Sequence, residues 1–505
     1  MVSLLAPAVV LADGDLQRVN HVIVLMQENH SFDNYFGALP YAPGGPYHPG
    51  KGRGCAAGDH ACVDGLKCRI DAAGALACSN SNPDGGGGVV RAFHDPSRCA
   101  RPDLNHSWFP THLEMNFDEP NETLDDAPAD GFVRVNDATE QLDGGTESPT
   151  EDQTLGFYTQ TDLPLYYELA EKFAIDDRYF ASVPGPTFPN RAYLMAATSF
   201  GHLTTSDTFP PPGGYKPITG TIFDLLDAQQ VSWADYFQDA PQGGSFRLFG
   251  ATGSDPHFLP LPVFLAQVAG APGAGPLPAV SFVDPNFGLF GAAAENDEHP
   301  PTDIQRGQAY VSSVLNAIRN GPYWKDTVVF ITYDEHGGYY DHVQPPPAPQ
   351  GQARTPDGIS PGQCADLSNP PASQQPGGGA ECAANPLSTT DTSVLDAEML
   401  CPQLARNPTG RYPRECASFD QLGVRVPFLA VSPFAKTHYV SHTTGDHTSI
   451  LAFIEKRFLT SAAHLTQRDL YADPLEDLFD FDASPSLTTT FGTAAPPAND
   501  CTPVP

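Results

Sequence analysis

The chain has 505 residues, 40% of them hydrophobic and 10% aromatic, enough to build a real core in one large domain with insertions or in two domains. Sixty acidic residues against 26 basic ones give a formal charge of −34. That balance argues against nucleic acid and against electrostatic docking on anionic lipid, because both need basic patches, and no apolar run approaches the roughly twenty residues of a membrane helix.

The opening MVSLLAPAVVLADGD has a short apolar stretch without a positive flank. It reads either as a signal-peptide remnant or as a leader without fixed structure. His21–Met26 is an apolar run suited to a buried parallel strand, and it breaks off into Gln27-Glu28-Asn29-His30-Ser31. Residues 42–104 read as a coreless insertion carrying Cys55, Cys62, Cys68, Cys78 and Cys99, and His106 follows in LNHSW. Lys172–Ile175 is a second candidate strand. In GPTFPNRAYLMAATSFG, residues 185–201, Pro186 and Pro189 stiffen a turn that presents Thr187, and a helix is expected from about Asn190.

A third strand is expected at Ala279–Val283, followed by His299 in ENDEHPPTD. Thr302-Asp303-Ile304 opens a helix with apolar positions at Ile304, Val311, Val314, Leu315 and Ile318, and Asn320-Gly321-Pro322 closes it. Thr327–Thr332 is a fourth strand, ending in Asp334-Glu335-His336-Gly337-Gly338. Residues 344–415 form a second proline- and glycine-rich insertion with Cys364, Cys382, Cys401 and Cys416. Val426–Val431 is the fifth strand and His447–Phe458 a further helix. The tail, residues 483–505, has low complexity and holds Cys501. Strand and helix alternate, which predicts an α/β fold on a largely parallel sheet. The expected organisation is one catalytic domain over residues 15–482, interrupted by the two insertions.

The cysteines are not spaced as paired zinc knuckles, and disulfides stapling the insertions are the better reading. That favours a secreted or periplasmic protein, with reduced cytosolic thiols as the alternative. Five cysteines in the first insertion leave one over, so Cys99 or another must pair elsewhere.

In folds of this class ligands gather beyond the carboxyl ends of the strands. Glu28 taken alone reads equally as a helix cap, and Asp334 as an ordinary loop acid. Together Glu28, Asn29, Asp334 and Glu335 offer three carboxylates and an amide oxygen, a hard oxygen set suited to one divalent cation such as Ca, Mg, Mn, Zn or Fe. Such an ion would reconcile an acidic protein with an anionic substrate. Thr187 is either a plain helix cap or a nucleophile whose alkoxide a neighbouring cation stabilises. Arg191 adds a fork of donors suited to an anion. His106, His299 and His447, near loops and helix starts, are candidates for phosphate contact or proton transfer, whereas His48, His60 and His257 read as surface or packing residues.

HVIVLMQENHSFDNYFG, GPTFPNR, EHPPTDI, TYDEHGGYYDHV and RVPFLAVSPF…SHTTGDHTSILAFIEKRF occur in this order. They resemble the bacterial and plant phosphoesterase family, which contains non-specific phospholipases C and a group of acid phosphatases. The resemblance implies an alkaline-phosphatase-like three-layer α/β sandwich. It also implies Glu28, Asn29, Asp334 and Glu335 as metal ligands and Thr187 as nucleophile. His106, His299 and His447 match motif histidines near the phosphate, and Asn190, Arg191 and His336 are expected to contact substrate. The implied substrate is a phospholipid or, in the rival reading, a small soluble phosphate ester. A secreted cysteine-rich binding protein on a dead enzyme scaffold would lack a ligand or the nucleophile, and this sequence retains all five.

Overall fold

Eight strands assemble into one sheet: β1 (His21–Gln27), β2 (Ala174–Asp176), β3 (Trp233–Phe237), β4 (Phe258–Pro260), β5 (Val280–Val283), β6 (Thr327–Tyr333), β7 (Phe428–Val431) and β8 (Tyr439–Ser441). Their spatial order is β4-β3-β5-β1-β6-β7-β2-β8. These come from a computed structural model that describes residues 15–492 apart from 52–53, 73, 85–86, 100–102, 116–128, 137–150, 203–204, 206–213, 248–254, 290, 292–294, 350–356 and 358–418. The leader, the four cysteines of the second insertion and the tail beyond Gly492 therefore lie outside the described residues.

β1 and β6 hold the centre. Each is seven residues long and almost entirely buried, as near-continuous apolar runs covered on both faces must be. They pair in parallel from His21 opposite Thr327 to Gln27 opposite Tyr333. The sheet is mixed: β7 runs antiparallel to both β6 and β2, which corrects the expectation of a parallel fifth strand. A buried apolar run reads the same in either direction, so only the connection decides.

Boundaries also shift. Lys172 ends a helix, because a cation is favourable in a last turn, and the strand begins at Ala174. β3, β4 and β8 are short or polar and carry no clear apolar run in the sequence.

The helices that matter here are α1 (Phe32–Phe36), α2 (Trp108–Met115), α3 (Pro164–Lys172), α4 (Thr187–Ala196), α5 (Ile304–Asn320) and α6 (His447–Phe458). α5 starts and stops where its caps predict: the Asp303 side chain accepts from Gln305 N and Gly321 closes the end. α6 is capped by Asp446 in a reciprocal box with Ser449. α4 begins at Thr187, three residues earlier than expected, since Pro189 lies in its first turn where a missing N–H costs nothing. Among the described residues no helix is long and apolar enough to cross a membrane.

The first insertion is not coreless. Its Leu66, Cys78 and Ala92 pack with Ala38, Met115, Phe132, Phe157 and Tyr340 into a small second cluster. Disulfides Cys55–Cys62 and Cys68–Cys78 staple it, and Cys99 is also disulfide-bonded. It borrows apolar partners from the main body that its own sequence lacks.

Candidate metal centre and phosphate site

Because Gln27 and Tyr333 are neighbours at the ends of β1 and β6, the next residues of both strands emerge side by side. Glu28 and Asn29 thus meet Asp334 and Glu335 at the carboxyl edge of the sheet. The two loops press together at Gly337, whose φ is +63° and where a Cβ would lie 2.3 Å from the Asn29 carbonyl. Only glycine fits there. Asn29, Asp334 and Glu335 are 0% exposed and Glu28 8%.

The donor set suits a divalent cation. Both amide atoms of Asn29 and Oε1 of Glu335 are buried without a hydrogen-bond partner, a cost that a native fold rarely leaves uncompensated. All four candidate ligands offer oxygen, the preference of hard and borderline ions. Burial pushes the Asp334 carboxyl up; Arg191 opposes this, while Glu28 and Glu335 add to it. Such a cluster of like charge calls for a counter-ion.

Arg191 supplies part of that charge. Its Nη2 lies 2.8 Å from Glu28 Oε1, its Nε donates to Asp334 Oδ2 at 3.2 Å, and its Nη1 donates to Gln242 Oε1 at 2.8 Å. The guanidinium expected on the substrate is thus committed to two of the candidate ligands. Gln242 is in turn held by Asp284, which accepts from the Gln242 backbone N–H at 2.6 Å.

The α4 helix brings the candidate nucleophile. Thr187 stands four residues before Arg191, so both share one helix face, with Thr187 a turn nearer the amino terminus. Among the described residues its hydroxyl has no hydrogen-bond partner. Asn190, expected on the substrate, has its amide filled inside the loop: it donates to the Gly185 carbonyl at 2.8 Å and accepts from Val183 N at 3.0 Å. It fixes the GPT turn. Gly185 lies against Trp108, where a Cβ would come within 2.8 Å of the indole.

The histidines separate into two kinds. His447 is fully buried, with Nε2 donating to the Asp334 carbonyl at 2.7 Å and Nδ1 3.3 Å from the Tyr179 hydroxyl. Burial pulls its pKa down to about 4, so it is a neutral brace. His336 bridges two carboxylates, Glu114 Oε2 at 2.8 Å and Glu335 Oε2 at 3.2 Å. Burial would lower its pKa, but Glu114 and Glu335 raise it to about 9. His447, expected near the phosphate, and His336, expected on the substrate, are thus both held against candidate ligand residues.

His106 and His299 are only partly buried, and their rings meet edge to face at 6.2 Å. His106 Nε2 lies 3.7 Å from Glu335 Oε1. For His299, burial is outweighed by Glu28, Asp103 and Asp297, which raise its pKa to about 9.

Two neighbours of the candidate site carry no motif of their own. Asp297 sits two residues before His299, accepts from its N–H at 3.0 Å, and receives the Glu28 N–H on its carbonyl at 2.8 Å. Its adjacency to His299 was the available signal. Glu114, in α2, carried none; only the tertiary fold brings it to His336.

A profile of the Phosphoesterase family matches residues 19–460. The chain belongs to that family. This phosphoesterase is 31% identical to Non-specific phospholipase C6 of Arabidopsis thaliana over 63% of its own length and 51% of that protein. It is 27% identical to Phospholipase C B of Mycobacterium tuberculosis (strain ATCC 25618 / H37Rv), over 94% of this chain and 80% of that protein. Non-specific phospholipase C1 of Arabidopsis thaliana matches at 29% identity, with 72% of this chain and 58% of that protein covered. The chain thus spans little more than half of the two plant relatives. A solved murine ectonucleotide pyrophosphatase / phosphodiesterase 5 aligns at 11% identity and TM-score 0.32, over 63% of this chain and 94% of that one, a likeness too slight for any conclusion.

Proposed function

We propose that this phosphoesterase is a phospholipase C that hydrolyses phospholipids through a phosphorylated Thr187, with one divalent cation held by Glu28, Asn29, Asp334 and Glu335. The observation that carries the reading is the convergence of these four oxygen donors, two of them with partnerless buried atoms, at adjacent strand ends. Similarity to plant and mycobacterial phospholipases C supports the substrate class. When bound, the ion would supply positive charge to the phosphate oxygens and to the threonine oxygen.

The chain's own residues do the rest. Arg191 and His336 keep the ligand carboxylates oriented, and His447 holds the Asp334 backbone. Asn190 fixes the turn that presents Thr187. The Thr187 oxygen attacks phosphorus as its proton passes to His106, and the diacylglycerol oxygen leaves with a proton from His299. In the second displacement the attacking water returns a proton to His299 while His106 gives its proton back to Thr187. The two inversions give net retention at phosphorus. Residues 15–482 act as one catalytic domain, a reading supported by a hydrophobic core that runs from Leu16 to Phe481 and beyond. The disulfides of the first insertion support an exported enzyme.

Turnover of phosphatidylcholine beside a chromogenic phosphate monoester, with and without chelator, tests the proposal. Lipid turnover abolished by chelation and restored by a divalent metal is the expected result. Efficient hydrolysis of the monoester alone would transfer the enzyme to the acid phosphatases, and full activity in chelator would remove the metal.

A further inference from the structure

Far from the phosphate site, Glu455 lies in the last turns of α6 and faces His464 and Asp469 on the segment that follows. His464 Nδ1 is 2.7 Å from Glu455 Oε2 and 3.8 Å from Asp469 Oδ2. One donor atom from each residue falls within 4.8 Å of the other two. Both carboxylates are buried, Glu455 at 3% exposure and Asp469 at 1%. No lysine or arginine pairs with either among the described residues, and Glu455 Oε1 is buried without a hydrogen-bond partner.

Asp469 has an evident structural task. Its Oδ2 accepts from Leu465 N at 2.6 Å, and its Oδ1 accepts from Thr466 N at 2.7 Å and Thr466 Oγ1 at 3.1 Å. Capping explains Asp469; it does not explain Glu455. A second carboxylate buried beside the first adds repulsion and desolvation that a single imidazole, 26% exposed, offsets only in part. Glu455 meets the imidazole through Oε2 while its buried Oε1 has no hydrogen-bond partner, and a carboxylate so placed beside Asp469 marks the place of a proton or a cation.

We propose that Glu455, His464 and Asp469 form a second, structural metal site that takes a divalent transition ion, zinc fitting best. Two carboxylates and one imidazole match the ligand preferences of zinc, and the exposed side of His464 leaves room for water as a fourth ligand. The placement gives such an ion a purpose. α6 begins at His447, which braces Asp334, and ends near Glu455. The short helix that holds Asp469, Gln467–Tyr471, is tied at its amino-terminal cap to the end of α4, where Thr466 Oγ1 donates to the Ala197 carbonyl at 3.0 Å. An ion here would pin the far ends of both helices whose amino termini carry His447 and Thr187. The site stands independently of the catalytic metal proposed above.

The test measures metal per chain by mass spectrometry in the full-length protein, in two backgrounds: the natural sequence and Asp334→Ala. His464→Ala and the isosteric Glu455→Gln are each expected to lose one zinc equivalent in both backgrounds. Chelation is expected to lower the melting temperature of the parent and to leave that of His464→Ala unchanged. Should His464→Ala fail to fold, Glu455→Gln carries the decision alone. Metal content unchanged from the parent in Glu455→Gln would overturn the proposal and leave a shared proton in its place. Failure of the catalytic reading would show separately, as unchanged metal in Asp334→Ala alone.

Discussion

Asn29 and Glu335 keep buried atoms without hydrogen-bond partners, whereas a few residues away Asp33 and Asp341 are filled completely enough to need nothing more. Arg425, itself 0% exposed, donates from Nε to Asp341 Oδ2 and from Nη2 to Asp33 Oδ1, both at 3.1 Å. Its Nη1 donates to the carbonyls of Asp64 at 2.8 Å and Asp177 at 2.9 Å, and the guanidinium lies over Phe32. His342 completes this cluster, Nδ1 to Asp33 Oδ2 at 2.6 Å and Nε2 to Asp64 Oδ1 at 3.4 Å. Both clusters are buried, acidic and built on an arginine. One closes on itself, and the other keeps both amide atoms of Asn29 and Oε1 of Glu335 without hydrogen-bond partners. Leaving such groups unmade costs a fold free energy, and at the open cluster the cation proposed above would offset that cost.

The comparison can be broken by substitution on each side. Thr187→Ala at the open cluster should reduce lipid turnover by about three orders of magnitude or more while metal content stays normal. A threonine that merely capped α4 would instead lose about 1 kcal/mol of stability and keep its turnover. Near-normal turnover by folded Thr187→Ala would therefore end the nucleophile assignment.

In the closed cluster Arg425→Met should cost about 3–5 kcal/mol in chemical denaturation, since Asp33 and Asp341 would be left buried without their cation. A loss under about 1 kcal/mol would show that the cluster is not closed in the sense argued.

The pH dependence has a definite sign. Burial alone would lower the His342 pKa, but Asp33 and Asp64 hold it at about 9, above its ordinary 6.5. A raised folded-state pKa gives stability that is full below pH 6.5 and fades as pH rises through 9. Unfolding free energy should fall over that window, by an amount on the order of 2 kcal/mol, with the melting temperature falling alongside, and His342→Gln should flatten the slope. An equal slope in the variant would assign the effect to another group.

The smallest expected stability change belongs to Asn29→Leu. Removing an amide with no partner leaves no hydrogen bond to lose, so stability should shift by less than about 1 kcal/mol while bound metal disappears. Retained metal in that variant would take Asn29 out of the ligand set. A large stability loss would mean the amide is satisfied after all.

Much of this arrangement was legible in the residues themselves. The apolar runs of β1 and β6, the caps of α5 and α6, and the polar clusters at the strand ends are local signals, written in side-chain chemistry and period. They were enough to bring Glu28, Asn29, Asp334 and Glu335 forward as one group. What the chain alone did not carry were the facts that depend on who lies next to whom. The direction of β7, the commitment of Arg191 to Glu28 and Asp334, the pairing of His336 with Glu114 and that of His447 with the Asp334 carbonyl all arise from packing of segments far apart in the chain. A histidine or arginine in a motif looks the same whether it will face a substrate or a neighbour. Only the folded surroundings, by desolvating one ring and leaving another half-exposed, decide which of them remains free to move a proton.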